Sequence, residues 1–243
     1  MQYLEPQWPV PAGVHAAFTL RGGGVSRGAF ASLNLGAHVG DEPAAVAQNR
    51  ARVRAALGLA HEPCWLQQVH GTHVVEASHT PGREAPTADA SVSRAPGVVA
   101  VVQVADCLPV LLAARDGTVA AAHAGWRGLA AGVLEATVAQ MGVPPRELVA
   151  WLGPAISAAH FEVGAEVHAA FLARDARAAT AFVANARGRW QCDLALLARQ
   201  RLAAAGIDAV YGGTWCTYAG AGQFFSFRRD GQCGRMAALI WRD

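Results

Sequence analysis

The chain has 243 residues, 53% of them hydrophobic and 16% charged, with a formal net charge of +2. That length can bury a large core as one big domain or two small ones, and the near-neutral balance gives no reason to expect nucleic acid or an acidic partner. All 20 basic residues are arginine, which excludes lysine Schiff-base chemistry and the lysine-dependent phosphate loop.

At the N-terminus, MQYLEPQWPV carries neither a basic n-region nor an apolar h-region, so no secretion signal is expected. VHAAFTL, residues 14–20, reads as a strand. RGGGVSRGAF, from Arg21, is a glycine-rich loop without the following helix that a dinucleotide-binding loop needs. Residues 42–59 read as a helix: Pro43 falls in the first turn, Val46, Arg50, Val53 and Leu57 mark one face, and Gly58 ends it. Residues 64–68 and 73–76 look like two strand pieces around QVHGTH, with His70 at a backbone break before Gly71. A loop is expected over Pro81–Pro86, and TADASVS brings Asp89 just ahead of the central strands.

The central stretch, Pro96 to Gly128, holds three short apolar runs at 98–104, 108–114 and 118–122. Each is too short for a stable helix, so buried strands are expected. Asp106 and Cys107 sit where the first run gives way to the second, and His123 follows the third. A thiol and an imidazole therefore fall at the ends of neighbouring strands, where α/β proteins usually place their chemistry. Beyond them the pattern predicts a helix over 127–141, a strand over 148–152, a helix in FEVGAEVHAAFLAR and an amphipathic helix over 191–205 with Asp193 as N-cap. A strand at 208–211 and two closing strands around a turn at 229–231 complete the chain. No repeat or linker divides it, so one mixed α/β domain over 1–243 is expected.

Five cysteines at 64, 107, 192, 216 and 233 form no CxxC pair, and no apolar run of about 18 residues escapes a polar break. Both facts fit a cytoplasmic protein with free thiols and no membrane span. Three residues at strand ends or breaks then stand out: His70, Cys107 and His123. Two imidazoles and a thiolate make a three-ligand zinc set with a fourth position open. The same residues would serve as a Cys–His nucleophile pair, with Cys107 attacking and either histidine as base. They could equally be three unrelated core residues, and the residues alone leave these readings open.

WLQQVHG, ADCLPVLL, AAHAGWRG, LGPAIS, FEVG and FFSFRRDGQCGRMA occur in that order, preceded by ASLNLGAHVGDEP and NR. In these motifs the chain resembles the polyphenol-oxidase/laccase-domain (YfiH-like) family, whose members are also described as purine nucleoside phosphorylases. The resemblance runs from about Phe18 to Trp241; Cys233, where the family usually has a small hydroxyl residue, is a local departure. It implies a layered α/β/β/α sandwich with mixed sheets, and a zinc site (copper in some preparations) on His70, Cys107 and His123. It also implies phosphorolysis of adenosine, inosine and S-methyl-5'-thioadenosine, with adenosine deamination beside it. Asn34 and Arg50 match family positions near the substrate pocket. A four-copper laccase is not expected: nine histidines, none two apart, cannot build its paired H-x-H ligands.

For deamination, a zinc-activated water would attack the purine ring with a carboxylate moving the proton, and Asp106 and Asp89 are the candidates. Asp106 could instead orient a ligand or cap a turn. For phosphorolysis, phosphate must be held by arginine, with Arg50 the first choice and Arg127 and Arg21 further candidates. Arg127 could also be a structural residue at a helix start. The partners expected are purine nucleosides and phosphate, with no nucleic acid or membrane. The competing functions are a Cys–His amidase or hydrolase, acting on misincorporated cell-wall precursors as the resemblance to some relatives implies, or a copper-binding phenol oxidase, and a third is a metal-carrying or redox-binding protein without turnover.

Overall fold

In the computed structural model, which describes residues 1–78 and 84–243, the central apolar runs are strands, as their length and valine content dictate. In chain order the strands are β1 (Tyr3–Leu4), β2 (Val14–Thr19), β3 (Val74–Glu76), β4 (Ala90–Ser93), β5 (Ala100–Val104), β6 (Leu108–Ala114) and β7 (Val119–Ala124). They continue as β8 (Leu148–Leu152), β9 (Glu162–Val163), β10 (Phe182–Ala184), β11 (Trp190–Cys192), β12 (Val210–Gly212) and β13 (Met236–Arg242). The helices are α1 (Pro43–Ala56), α2 (Trp126–Ala131), α3 (Val133–Met141), α4 (Ala165–Leu172), α5 (Leu194–Ala204) and the single turn α6 (Phe227–Asp230).

Among the described residues three sheets form, ordered β1-β2-β13-β5, β12-β8-β6-β7-β4-β3 and β10-β11-β9. The first is antiparallel throughout. The six-stranded sheet is mixed, parallel at β12–β8 and β3–β4 and antiparallel between.

Side-chain alternation along β6 shows how the layers stack, because successive residues face opposite sides of a sheet. Leu108, Val110, Leu112 and Ala114 pack with Leu134, Met141, Phe171 and Leu197 from the helical layer. Leu111 and Ala113 pack with Phe18, Val102, Met236 and Ile240 of the four-stranded sheet. The outer face of the four-stranded sheet, with Val101 and Leu239, is covered by Val53 of α1 together with Leu33 and Leu35. The result is the expected α/β/β/α sandwich, and burial on both faces is why the central strands read as continuous apolar runs.

Several local expectations shift. The helix expected over 127–141 is broken at Gly132, whose φ of +109° lies in the left-handed region and separates α2 from α3. Within FEVGAEVHAAFLAR, Glu162–Val163 pairs as a strand before the helix begins at Ala165. The helix expected from 191 starts only at Leu194, with Asp193 accepting from the Leu196 N–H at 2.9 Å as N-cap. The strand piece expected over 64–68 is reduced to isolated bridges at Cys64 and Gln67. In place of two closing strands, α6 precedes the single strand β13. The loop expected over Pro81–Pro86 lies partly outside the described residues. No described helix is long and apolar enough to cross a membrane.

Candidate metal centre

Strand register assembles the site. Leu108 pairs with Ala124, which sets Cys107 opposite Gly125; Ala90 pairs with Ala122, which sets Asp89 opposite His123. The His123 N–H donates to the Asp89 carbonyl at 2.7 Å, continuing the ladder. His70 comes from the turn before β3, and one buried carboxylate fixes that turn. Asp89 accepts from the backbone N–H groups of Val69 (3.2 Å), His70 (2.9 Å) and Gly71 (2.6 Å). His70 has φ +61° and Asp106 has φ +86°, conformations that cost a non-glycine residue about 1–3 kcal/mol each. The Asp89 bonds offset that cost at His70.

The ligand atoms of His70, Cys107 and His123 all lie within 4.8 Å of one another, and Cys107 Sγ is 3.8 Å from His70 Nε2. A tetrahedral ion with bonds of about 2.0 Å to nitrogen and about 2.3 Å to sulfur sets such atoms roughly 3.3–3.7 Å apart, so small side-chain movements suffice. His123 Nδ1 lies 2.8 Å from Asp89 Oδ1, which leaves Nε2 as the free ligand atom. Gly125 leaves the necessary room: a Cβ there would lie 2.9 Å from His70 Cδ2 and 3.0 Å from Cys107 Sγ. The residues present fit a three-ligand metal site with one open position. Two imidazoles and a thiolate are a donor set that zinc or copper accepts.

Without a metal the electrostatics favour a thiolate beside an imidazolium. Burial by itself would push the Cys107 thiol up, but His123 and His70 beside it bring it well below the usual thiol range. Burial would lower His123, and the neighbouring Cys107 and Asp89 raise it instead. For Asp89, burial is outweighed by the bonds from His123 and Gly71, which hold its carboxyl below the usual range.

Two clefts meet at Cys107 and Phe227. One, about 220 Å³, is the more polar of the two, with His38, His70, Gln103 and Arg235 in its wall. The other, about 130 Å³, is largely apolar, lined by Trp126, Ile156, Phe161 and Leu194, with Arg228 at its side. A roomier cavity of about 480 Å³ lies elsewhere, between Pro9–Pro11 and Arg146–Val149, and has no cysteine or histidine in its lining.

The structure brings His70, Cys107 and His123 together; of the other sequence candidates Asp89 bonds His123 and Asp106 lines a cleft, while Asn34, Arg50, Arg127 and Arg21 line neither cleft. Asp106 has both carboxylate oxygens engaged, accepting from the Thr217 hydroxyl at 2.6 Å and the Arg228 N–H at 2.7 Å. Buried Asn34 accepts from the Arg235 N–H at 2.8 Å and so holds the backbone of a cleft residue. Arg50 donates twice to the Leu35 carbonyl, stacks 4.0 Å over Trp65, and is pushed down to about 10 by burial, against the pull of Glu62. Arg127 is exposed and stacks on Trp126. Arg21 is tied to the carbonyls of Ala31 and Ala221. The sequence reading missed Arg235, His38, Gln103 and Phe227. Arg235 and Phe227 both fall inside the FFSFRRDGQCGRMA stretch.

Residues 15–243 match the family model described as multi-copper polyphenol oxidoreductase laccase. The chain belongs to that family. It is 55% identical to a purine nucleoside phosphorylase of Pseudomonas aeruginosa and 52% identical to purine nucleoside phosphorylase YfiH of Escherichia coli, each over 98% of both chains. A solved Neisseria meningitidis protein matches over the full length of both chains with a TM-score of 0.96 at 52% identity. YlmD from Geobacillus stearothermophilus matches at TM-score 0.89 and 30% identity, over 100% of this chain and 96% of that one. Despite the word multi-copper in the family's description, the described residues contain one histidine–cysteine group of this kind.

Proposed function

We propose that this chain is a zinc-dependent purine nucleoside phosphorylase. It would convert adenosine, inosine or S-methyl-5'-thioadenosine and phosphate to the free base and the corresponding ribose 1-phosphate, with adenosine deamination as a second activity. The observation that carries this reading is a His–Cys–His ligand group opening onto a cleft that also contains Arg235. The names of the relatives from Pseudomonas aeruginosa and Escherichia coli support it. His70, Cys107 and His123 would hold zinc, which supplies a Lewis acid when bound.

The other roles belong to the chain. In phosphorolysis the bond from the anomeric carbon to the base breaks, a bond to an oxygen of hydrogen phosphate forms, and the departing purine takes up the proton that the phosphate gives up. Arg235 is the arginine that reaches the cleft, and it binds the phosphate; Arg50 adds positive charge nearby, felt at His38. Asn34 positions Arg235 through its backbone. Asp89 orients His123, and Asp106 holds the wall between the clefts, so both act by positioning. Arg127 braces Trp126 at the apolar cleft. A cytoplasmic setting belongs to the same reading, since all five cysteines are free of disulfides.

The decisive experiment is product analysis on adenosine with zinc-loaded protein, with and without phosphate, beside a His123→Ala control. Adenine and ribose 1-phosphate formed only with phosphate, and lost in the control, establish the phosphorylase; inosine formed without phosphate establishes the deaminase. The lowered Cys107 thiol beside His123 also favours a second reading, a Cys–His amidase. In that case neither purine product forms, and hydrolysis of a cell-wall precursor survives chelation but not alkylation of Cys107.

A further inference from the structure

Phe227 is 57% exposed, although its neighbours Phe224 and Phe225 are buried at 1% and 0%. Its backbone is held firmly. The Arg228 N–H donates to Asp106, Ser226 Oγ accepts from the Arg229 N–H, and the Arg229 guanidinium clamps the carbonyls of Thr217, Tyr218 and Phe224. An apolar ring on a fixed support, more than half exposed at the junction of two clefts with the Arg235 guanidinium 5.9 Å from its centroid, is a platform for a flat apolar ligand group.

The polar cleft carries a complementary observation. Gln103 is only 4% exposed and lines that cleft, yet its Oε1 has no hydrogen-bond partner. Its backbone is satisfied separately: the Gln68 amide donates to the Gln103 carbonyl at 2.9 Å and accepts from its N–H at 2.7 Å. A buried amide oxygen left unpaired costs about 1–3 kcal/mol, and a ligand donor would recover it. Of the groups that react here, phosphate is chiefly an acceptor and is matched by Arg235. A purine ring is matched by the apolar cleft. The base has donors of its own, the adenine amino group or the inosine N1–H, but with the ring in the apolar cleft the ribosyl hydroxyls are the donors nearest the polar one.

We propose that the nucleoside straddles Cys107, its base stacked on Phe227 in the apolar cleft and a 2'- or 3'-hydroxyl of its ribosyl group donating to Gln103 in the polar one. This rests on the phosphorylase reading and adds to it an orientation and a preference for ribonucleosides over their deoxy counterparts.

The test is direct binding to zinc-loaded protein, by calorimetry, of inosine, 2'-deoxyinosine, 3'-deoxyinosine, hypoxanthine and ribose 1-phosphate. Phe227→Ala is expected to weaken inosine and hypoxanthine roughly tenfold and to leave ribose 1-phosphate within about twofold, with Phe227→Trp restoring the loss. Gln103→Leu is expected to weaken inosine and ribose 1-phosphate roughly tenfold and to spare hypoxanthine. It should also abolish the wild type's preference for inosine over one deoxyinosine, and which one identifies the hydroxyl. Gln103→Glu, which keeps an acceptor oxygen, retains that preference. Equal losses for all ligands in either variant, or no loss, overturn the orientation while leaving the phosphorylase standing. A wild type that binds none of the five ligands overturns the nucleoside reading and the orientation with it.

Discussion

Two buried carboxylates flank the candidate metal group, and they do different work. Asp89 gathers three backbone N–H groups from the His70 turn and the ring of His123, so it acts on the ligands themselves. Asp106, next to Cys107 in sequence, gathers a threonine hydroxyl and a backbone N–H from the C-terminal segment, so it acts on the cleft wall. The metal side is therefore fixed by strand register and one acid at a sheet end. The cleft side is held by loops pinned onto that frame, where changes are expected to alter ligand affinity more than metal occupancy.

Removing a ligand tests the metal side most severely. Cys107→Ala should take zinc per chain, measured by elemental analysis after dialysis, from one to near zero, and phosphorolysis should fall by roughly 100-fold or more. Asp89→Asn leaves the ligands in place but loosens their support; competition against a chromophoric chelator should show metal affinity down about 10–100-fold. On the substrate side, Arg235→Ala should raise KM for phosphate about tenfold with zinc content unchanged. Asp106→Asn should keep zinc affinity within about threefold. It should lower unfolding stability by about 1–3 kcal/mol in chemical denaturation, because one buried donor loses its acceptor. If this variant instead lost metal as Asp89→Asn does, the division between the two acids would collapse. Arg127→Ala, on an exposed stacked side chain, should change kcat/KM by less than about threefold.

Much of the frame was legible because local pattern and global packing agree. β6 and β8 begin and end where the apolar runs do, and Cys107 and His123 stand at the ends of β6 and β7 as their positions suggested. Elsewhere the pattern was silent. Apolar spacing continues across Gly132, so only the backbone angle there reveals that two helices replace one. Phe224 and Phe225 are consecutive and both buried, a pattern shared with the two-sided central strands, yet they lie outside any strand. The Ser226 cap that starts a helical turn was hidden within an apolar run. Arg235 and Gln103 became visible only in three dimensions, since each draws its meaning from a cleft shared by segments far apart in the chain. Asp89 was noticed as a carboxylate near the strands, but its grip on the His70 turn depends on strand pairing that spacing does not encode.

The four-stranded sheet ends at β5, an edge that would otherwise offer unpaired backbone groups to another chain. Cys64 bridges to Ala100, and the Gln68 side chain imitates a neighbouring strand against Gln103, so the segment leading to His70 also seals this edge. Catalytic integrity and colloidal behaviour are thereby tied to one short stretch of chain. Displacement of that stretch would uncover a template for intermolecular strand pairing as well as scattering the ligands.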